Sequence, residues 1–437
     1  MKAPRILIKG GRLIDPAEGV DEVCDLLIEG GKVAARGKGL KAEGAQGLDA
    51  KGKVVAPGFI DLHVHLRFPG QEQKETLITG SKAAIKGGFT TICTMANTDP
   101  VIDSGAVIES VKAQTGKLGW IRILPYAAVT MGLKGETLTE MGELRAAVAV
   151  GFSDDGMPIL NAGLMRRALE YTRLAGPPVI AHCEEKSLTG AGVMHDGVTA
   201  TRLGLAGMPA EAETVMIARD LLLAEGTRGR LHIAHVSTGA GVELIRAAKG
   251  RGVQVTAEVT PHHLTLTDEA LNTYESRFKM NPPLRTEADL EALRNGLRDG
   301  TLDAVATDHA PHSRAEKELD LGAAPFGVVG LETAAAVLLT ELVNRGTVPL
   351  PVLIASLTAR PAQVLGIDRG RLSKGSAADV TILDLEADWI VEAGSFASKG
   401  VNSPFLGWRL KGQVTDVLVA GEPVLRNGQF LVNGESA

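Results

Sequence analysis

Two histidines separated by one residue on an extended strand turn their imidazoles to the same side, and Asp61-Leu-His-Val-His65 carries that arrangement at His63 and His65. Other side chains able to bind metal stand at the ends of short apolar runs. Asp154 and Asp155 follow Ala149 to Phe152, His182 ends Pro178 to His182, His235 ends Arg230 to His235, and Asp308 follows Ala304 to Thr307. Imidazole nitrogen with carboxylate oxygen suits zinc and neighbouring divalent ions. Four imidazoles and two carboxylates exceed the needs of one tetrahedral site, so the pattern predicts two divalent cations. A carboxylate lying between the cations, with a shared hydroxide, gives a nucleophile near neutral pH, because coordination lowers the pKa of water from about 16 to about 7. The chemistry predicted is hydrolysis.

Each of these residues has a blander reading. An HxH pair arises by accident on surface strands, His182 in Val-Ile-Ala-His-Cys suits a hydrogen-bonded core position, and Asp308 suits a turn cap. Their common placement at strand ends argues against coincidence. Four other histidines, His195, His232, His262 and His263, are given bland readings. His232, three residues before His235, faces the opposite way on a regular strand. His262 and His263 end another strand and suit outer or backbone hydrogen bonds, while His195 falls in a loop and reads as solvated. Cys183 reads as packed rather than reactive, since nothing local lowers its pKa.

Residues so far apart in sequence meet only if a repeating scaffold collects them. Apolar runs with strand character recur at Gly58 to His63, Thr90 to Met95, Arg122 to Ala127, Ala149 to Phe152, Pro178 to His182, Arg230 to His235, Gln254 to Val259 and Ala304 to Thr307. Between them, Lys74 to Lys86, Asn161 to Leu174, Glu211 to Glu225 and Gly241 to Lys249 show helical spacing of apolar residues. Eight such repeats without a glycine-rich phosphate fingerprint predict an α/β fold, a (β/α)8 TIM barrel over residues 56–367, with an open doubly wound sheet as the structural alternative. In such a barrel, polar residues at the carboxy-terminal strand ends face a common mouth. Residues 1–55 and 368–437 show short alternating strands instead and are expected to pair into a small composite β-sandwich domain.

Composition narrows the function classes. The 437 residues are 44% hydrophobic and 22% charged, ordinary for a folded globular protein, and too many for a single typical domain. A net charge of -6 offers no basic field for nucleic acid, which leaves small-molecule substrates. No secretory signal opens the chain, and the apolar run around Ala334 to Leu339 is far shorter than the roughly 20 residues of a membrane span, so a cytoplasmic protein is expected. The three cysteines, Cys24, Cys93 and Cys183, form no CxxC pair, so any metal is held by histidine and carboxylate.

Read together, Pro57-Gly-Phe-Ile-Asp-Leu-His-Val-His-Leu-Arg67, Met95-Ala-Asn-Thr98, Phe152-Ser-Asp-Asp-Gly156, Ala181-His-Cys-Glu184, Ile233-Ala-His-Val-Ser237, Lys279-Met-Asn-Pro-Pro-Leu-Arg285 and Ala306-Thr-Asp-His-Ala-Pro-His312 resemble the motif series of type I dihydroorotases of the amidohydrolase superfamily. The resemblance spans nearly the whole chain, including Gly375-Ser-Ala-Ala-Asp-Val-Thr-Ile-Leu383. It implies that His63, His65 and Asp308 bind one cation, His182 and His235 the other, and Asp155 both, with zinc as the metal. Spacing alone does not separate Asp155 from Asp154. Many relatives use a carboxylated lysine after the fourth strand, and Val148 to Ser153 contains no lysine.

On the substrate side, the spacing His63, His65, Arg67 puts a guanidinium on the face of the two imidazoles, where it can take a carboxylate in bidentate fashion; a structural ion pair is the alternative. The resemblance adds Asn97 and His312 to that carboxylate site, Asn281 at the substrate ring, and Phe326 and Gly327 from a loop. It implies interconversion of L-dihydroorotate and N-carbamoyl-L-aspartate in pyrimidine biosynthesis, by a metal-bridging hydroxide with Asp308 as general acid and base. It also implies a homodimer and makes association with aspartate carbamoyltransferase an option. The rival readings are another cyclic amidase (dihydropyrimidinase, hydantoinase or allantoinase) and a non-catalytic dihydroorotase-like subunit, which would lack the metal ligands.

Overall fold

The computed structural model describes residues 4–432. The first three and last five residues, the outer tips of the two terminal segments, lie outside the described residues.

The apolar runs become the staves of a closed barrel. Phe59–Val64, Phe89–Thr94 and Arg122–Pro125 pair in parallel, as do Val179–Ala181, Leu231–Ile233, Val255–Val259 and Ala304–Val305. The predicted fourth strand, Ala149 to Phe152, is reduced to one residue: Phe152 bridges Ala127 on one side and Val179 on the other. A further parallel bridge between Val64 and His309 closes the ring. Asp61 reinforces that closure, since its carboxylate accepts from the Thr307 backbone NH at 3.1 Å, the Thr307 hydroxyl at 2.6 Å and the His63 NH at 3.0 Å. The first and last staves, which carry His63, His65 and Asp308, are thereby held at a common height.

Burial on both faces explains why these strands read as continuous apolar runs rather than alternating ones. Ile60, Leu62, Cys93, Met95, Tyr126 and Ile180, from different staves, form one cluster. A larger one joins the staves to the surrounding helices. The helices start where the sequence supplies an acceptor: Thr76 caps Leu77–Lys86, Asn161 caps Ala162–Ala175, Thr238 caps Gly239–Gly250 and Thr286 caps Glu287–Asp299. Among the described residues no helix is long and apolar enough to cross a membrane.

The two ends of the chain meet in a nine-stranded sheet. Val54–Pro57 pairs with Ile6–Asp15 on one side and antiparallel with Val380–Ile390 on the other, which continues into Arg409–Val419. This sheet has its own core of Ile6, Ile8, Leu26, Ile28, Val380, Ile382 and Leu418. The segment between its carboxy-terminal strands leaves it and returns to the barrel rim. There Asn402 donates to the carbonyls of Ala310 at 3.2 Å and Gly327 at 3.0 Å, while Ser398 donates to Glu75.

Candidate metal centre and substrate cavity

The buried side chains at the strand ends converge around one carboxylate. Asp155 Oδ1 lies 3.5 Å from His63 Nε2, His182 Nδ1 and His235 Nε2, and Asp155 Oδ2 lies 3.5 Å from His65 Nε2. Asp155 therefore belongs to two groups of potential ligands, one with His63 and His65, the other with His182 and His235. Asp308 Oδ1 joins the first, 3.1 Å from His65 Nε2 and 3.5 Å from His63 Nε2. His182 Nδ1 and His235 Nε2 are 2.9 Å apart.

Asp154 takes a different path. Its Oδ1 accepts from the backbone NH groups of Val129 at 2.7 Å and Thr130 at 3.1 Å, and its Oδ2 from the Thr130 hydroxyl. Its carboxylate is thus occupied with the loop after the third stave, and adjacent residues that spacing leaves equivalent become distinct.

The donor set fits divalent cations. Donors at about 2.0–2.1 Å from a tetrahedral ion stand roughly 3.3 Å from one another, close to the separations here. His63 Nε2 and Asp155 Oδ1 are buried without a hydrogen-bond partner, a condition that coordination relieves. Electrostatics agree. Burial opposes ionisation of Asp155 and Asp308, yet His63 and the neighbouring imidazoles hold both carboxyls well below the usual range. Burial likewise opposes a charge on His182, but Asp155 and Glu184 outweigh it and push its pKa up to about 9. Two carboxylates thus face a pocket that attracts positive charge.

Above this cluster lies a cavity of about 350 Å³. Apart from His63, which lies beneath it at 0% exposure, every site residue named from the sequence lines it: His65, Arg67, Asn97, Asp155, His182, His235, Asn281, Asp308, His312, Phe326 and Gly327. Arg67 Nε donates to the Pro311 carbonyl at 3.1 Å. His312 Nε2 lies 2.8 Å from the Phe326 carbonyl and 3.3 Å from Arg67 Nη2. A neutral His312 donating to Phe326 leaves no lone pair there for Arg67, so the outer guanidinium nitrogens keep hydrogens free for a ligand. Burial, then the Arg67 charge, keeps His312 neutral by lowering its pKa to about 3.

Backbone strain gathers at this rim. Arg67, His235 and Asp308 have φ of 57°, 34° and 47°, conformations that cost free energy and persist only where surroundings enforce them. Gly327 has φ of 129°, and a Cβ there would fall 2.9 Å from that of Ala310, so only glycine fits.

Some sequence expectations change. His195 is buried, not solvated: it pairs through Met194–His195 with Gly207–Met208, and its Nδ1 lies 3.2 Å from Arg285 Nη1. His232 does not simply face away, because the strand ends at Ile233 and the positive φ at His235 breaks the regular alternation. Its Nε2 instead reaches Glu258 at 3.1 Å. His263 bonds the Pro282 carbonyl at 3.0 Å, as a backbone-bonding role requires, whereas His262 Nε2 is buried without a partner. Cys183 is buried, and burial raises its pKa strongly.

The sequence reading assigned no role to two carboxylates. Glu184 accepts from His182 Nε2 at 3.0 Å, Asn281 Nδ2 at 2.9 Å and Lys186 at 2.6 Å, and Glu258 accepts from His63 Nδ1 at 2.9 Å. The available signals were an acid two residues after His182 and an acid inside the apolar stave Val255–Val259. Asn97, named for substrate, also holds a ligand: its Oδ1 lies 3.0 Å from His65 Nδ1.

Residues 52–240 match the family model described as Dihydro-orotase-like. The chain is 53% identical to a dihydroorotase of Pelotomaculum thermopropionicum over 423 residues, 97% of this chain and 99% of the relative. The chain belongs to the dihydroorotase family. A second family member, from Geobacter metallireducens, is 51% identical over 96% of this chain and 99% of its own length. Among solved structures, an L-hydantoinase (dihydropyrimidinase) of Arthrobacter aurescens superposes with a TM-score of 0.89 at 30% identity, covering 99% of this chain and 98% of that one. The dihydropyrimidinase of Brevibacillus agri gives 0.86 at 25% identity, over 98% and 96%. These neighbours share the barrel with an attached β-sandwich.

Proposed function

We propose that this chain is a dihydroorotase, a cyclic amidohydrolase that interconverts L-dihydroorotate and N-carbamoyl-L-aspartate in pyrimidine biosynthesis. The observation that carries the reading is Asp155 shared between two histidine pairs on the floor of a cavity whose wall presents Arg67. His63, His65 and Asp308 would hold one divalent cation and His182 and His235 the other, with Asp155 within reach of both pairs. Bound there, two zinc ions supply Lewis acidity and bring the pKa of water to about 7.

The protein's own groups do the rest. Arg67 takes the substrate carboxylate through its free nitrogens, with Asn97 and His312 beside it. Asn281, steadied by Glu184, faces the ring, and Phe326 and Gly327 bound its far side. Asp308 accepts a proton from the attacking water and delivers it to the ring nitrogen that leaves when the amide bond breaks. In ring closure the same carboxylate carries the proton from the ureido nitrogen to the departing oxygen.

A hydantoinase reading has the solved-structure likeness in its favour. Against it stand the higher identity to dihydroorotases, the lack of a lysine in Val148 to Ser153 and the cationic cavity wall. Metal analysis with parallel assays of dihydroorotate, dihydrouracil, hydantoin and allantoin tests the proposal: about two equivalents of zinc and preference for dihydroorotate are expected, and preference for a ring without a carboxylate would overturn it. The reading extends to a cytoplasmic homodimer, with association with aspartate carbamoyltransferase as an option. Sedimentation of the protein alone and mixed with the transferase tests those two points.

A further inference from the structure

Beneath the cavity, where the interior is otherwise filled by Ile60, Leu62, Met95 and Ile180, a fully buried carboxylate stands between two imidazoles. Glu258 Oε1 is 2.9 Å from His63 Nδ1, and Oε2 is 3.1 Å from His232 Nε2. His232 Nδ1 is in turn 2.8 Å from the Thr256 hydroxyl. A carboxylate in such a setting is costly unless every oxygen is paired, and here both are. It does not serve barrel closure, which Asp61 and Thr307 provide. It does not line the cavity, unlike Glu184 and Asn97, and the ligand its side chain touches is His63.

An ionised carboxylate only accepts, so the ring nitrogen facing it must carry hydrogen. For a neutral His63 this puts the single N–H on Nδ1 and the lone pair on Nε2. That is the atom 3.5 Å from both Asp155 Oδ1 and Asp308 Oδ1, buried and without a hydrogen-bond partner. We propose that Glu258 is a positioning residue of the metal centre: its carboxylate selects the His63 tautomer and ring orientation that present Nε2 to the cation shared with His65 and Asp308. The inference rests on the reading of His63 as a cation ligand. A carboxylate behind a ligating imidazole fixes the ring and raises its basicity, and its loss typically costs 10–100-fold in metal affinity.

Glu258→Gln keeps the volume, but one amide oxygen cannot accept from both imidazoles. His232→Gln damages the same buried network while leaving Glu258 on His63. Zinc is titrated into the metal-free proteins against a chromophoric chelator, after far-UV circular dichroism has established folding. In Glu258→Gln, one of two equivalents is expected to weaken by about 10–100-fold while the other stays within about threefold. In His232→Gln, both are expected to stay within about threefold of the unsubstituted chain. Cobalt-loaded protein adds a spectroscopic readout, with the visible bands of the weakened site displaced only in Glu258→Gln. Should Glu258→Gln fail to fold, Glu258→Asp, which retains the charge on an arm one methylene shorter, carries the same expectation. Unchanged affinity for both equivalents, or equal weakening by the Glu258 and His232 substitutions, would overturn the inference. An unsubstituted chain that binds no zinc would instead overturn the metal reading beneath it.

Discussion

Replacing Arg67 by alanine separates substrate recognition from chemistry. The side chain is anchored by one hydrogen bond, Nε to the Pro311 carbonyl at 3.1 Å, and its outer nitrogens face the cavity. A carboxylate bound there receives two charge-assisted hydrogen bonds, each worth about 1.5–3 kcal/mol. Allowing for water that replaces part of this, the loss is about 3–4 kcal/mol, or roughly 10²–10³-fold in kcat/KM for dihydroorotate. Dihydrouracil, which has the same ring without the carboxylate, makes neither bond. Its low kcat/KM should change by less than about fivefold, so the preference between substrates collapses while metal content is retained. Arg67→Lys should fall between, since an ammonium keeps the charge but not the planar fork. Loss of ring absorbance on hydrolysis gives both rates. If Arg67→Ala slows both substrates equally, the guanidinium supports the strained backbone at φ 57° rather than reading a carboxylate, and the recognition argument fails.

Asp308→Asn should still bind metal but lower kcat by about 10²–10⁴-fold, the usual contribution of a positioned acid or base; normal turnover would refute the proton assignment. Asp155→Asn should lower the affinity for both equivalents of zinc, whereas Asp154→Asn should keep them and cost about 1–3 kcal/mol of stability by removing the acceptor for Thr130, a contrast read by metal analysis and thermal melts. Because the His182 pKa is raised from 6.5 to about 9 in the folded, metal-free chain, its stabilising contribution is fully present below pH 6.5 and is lost as pH rises through 9. Denaturant unfolding across that window should therefore show declining stability for metal-free protein, a decline absent when zinc replaces the proton, and stability rising with pH would contradict it. Asn402→Ala should raise KM with little change in kcat by releasing the Gly327 loop, which steady-state kinetics would register.

Much of the architecture was legible because strands buried on both faces appear as apolar runs, and helices announce themselves by period and caps. The fourth stave was the exception: Ala149 to Phe152 has strand composition but keeps a single bridging residue. His195 misled for a related reason, since a place in a loop suggests solvent whereas Arg285 and a short strand pair bury it.

Which side chains end the staves, and hence which ligand types reach the barrel mouth, is legible in the sequence because it depends on local periodicity alone. The sequence by itself could not separate Asp154 from Asp155, orient His232, or find the partners of His63 and His182. Those were decided by contacts between staves distant in the chain: Thr130 occupies Asp154, and Glu258 joins His63 to His232. Positive φ at Arg67, His235 and Asp308 also breaks the alternation from which facing is inferred. Which way a side chain points beyond a strand's end depends on the closure of the whole barrel, and no local pattern encodes it.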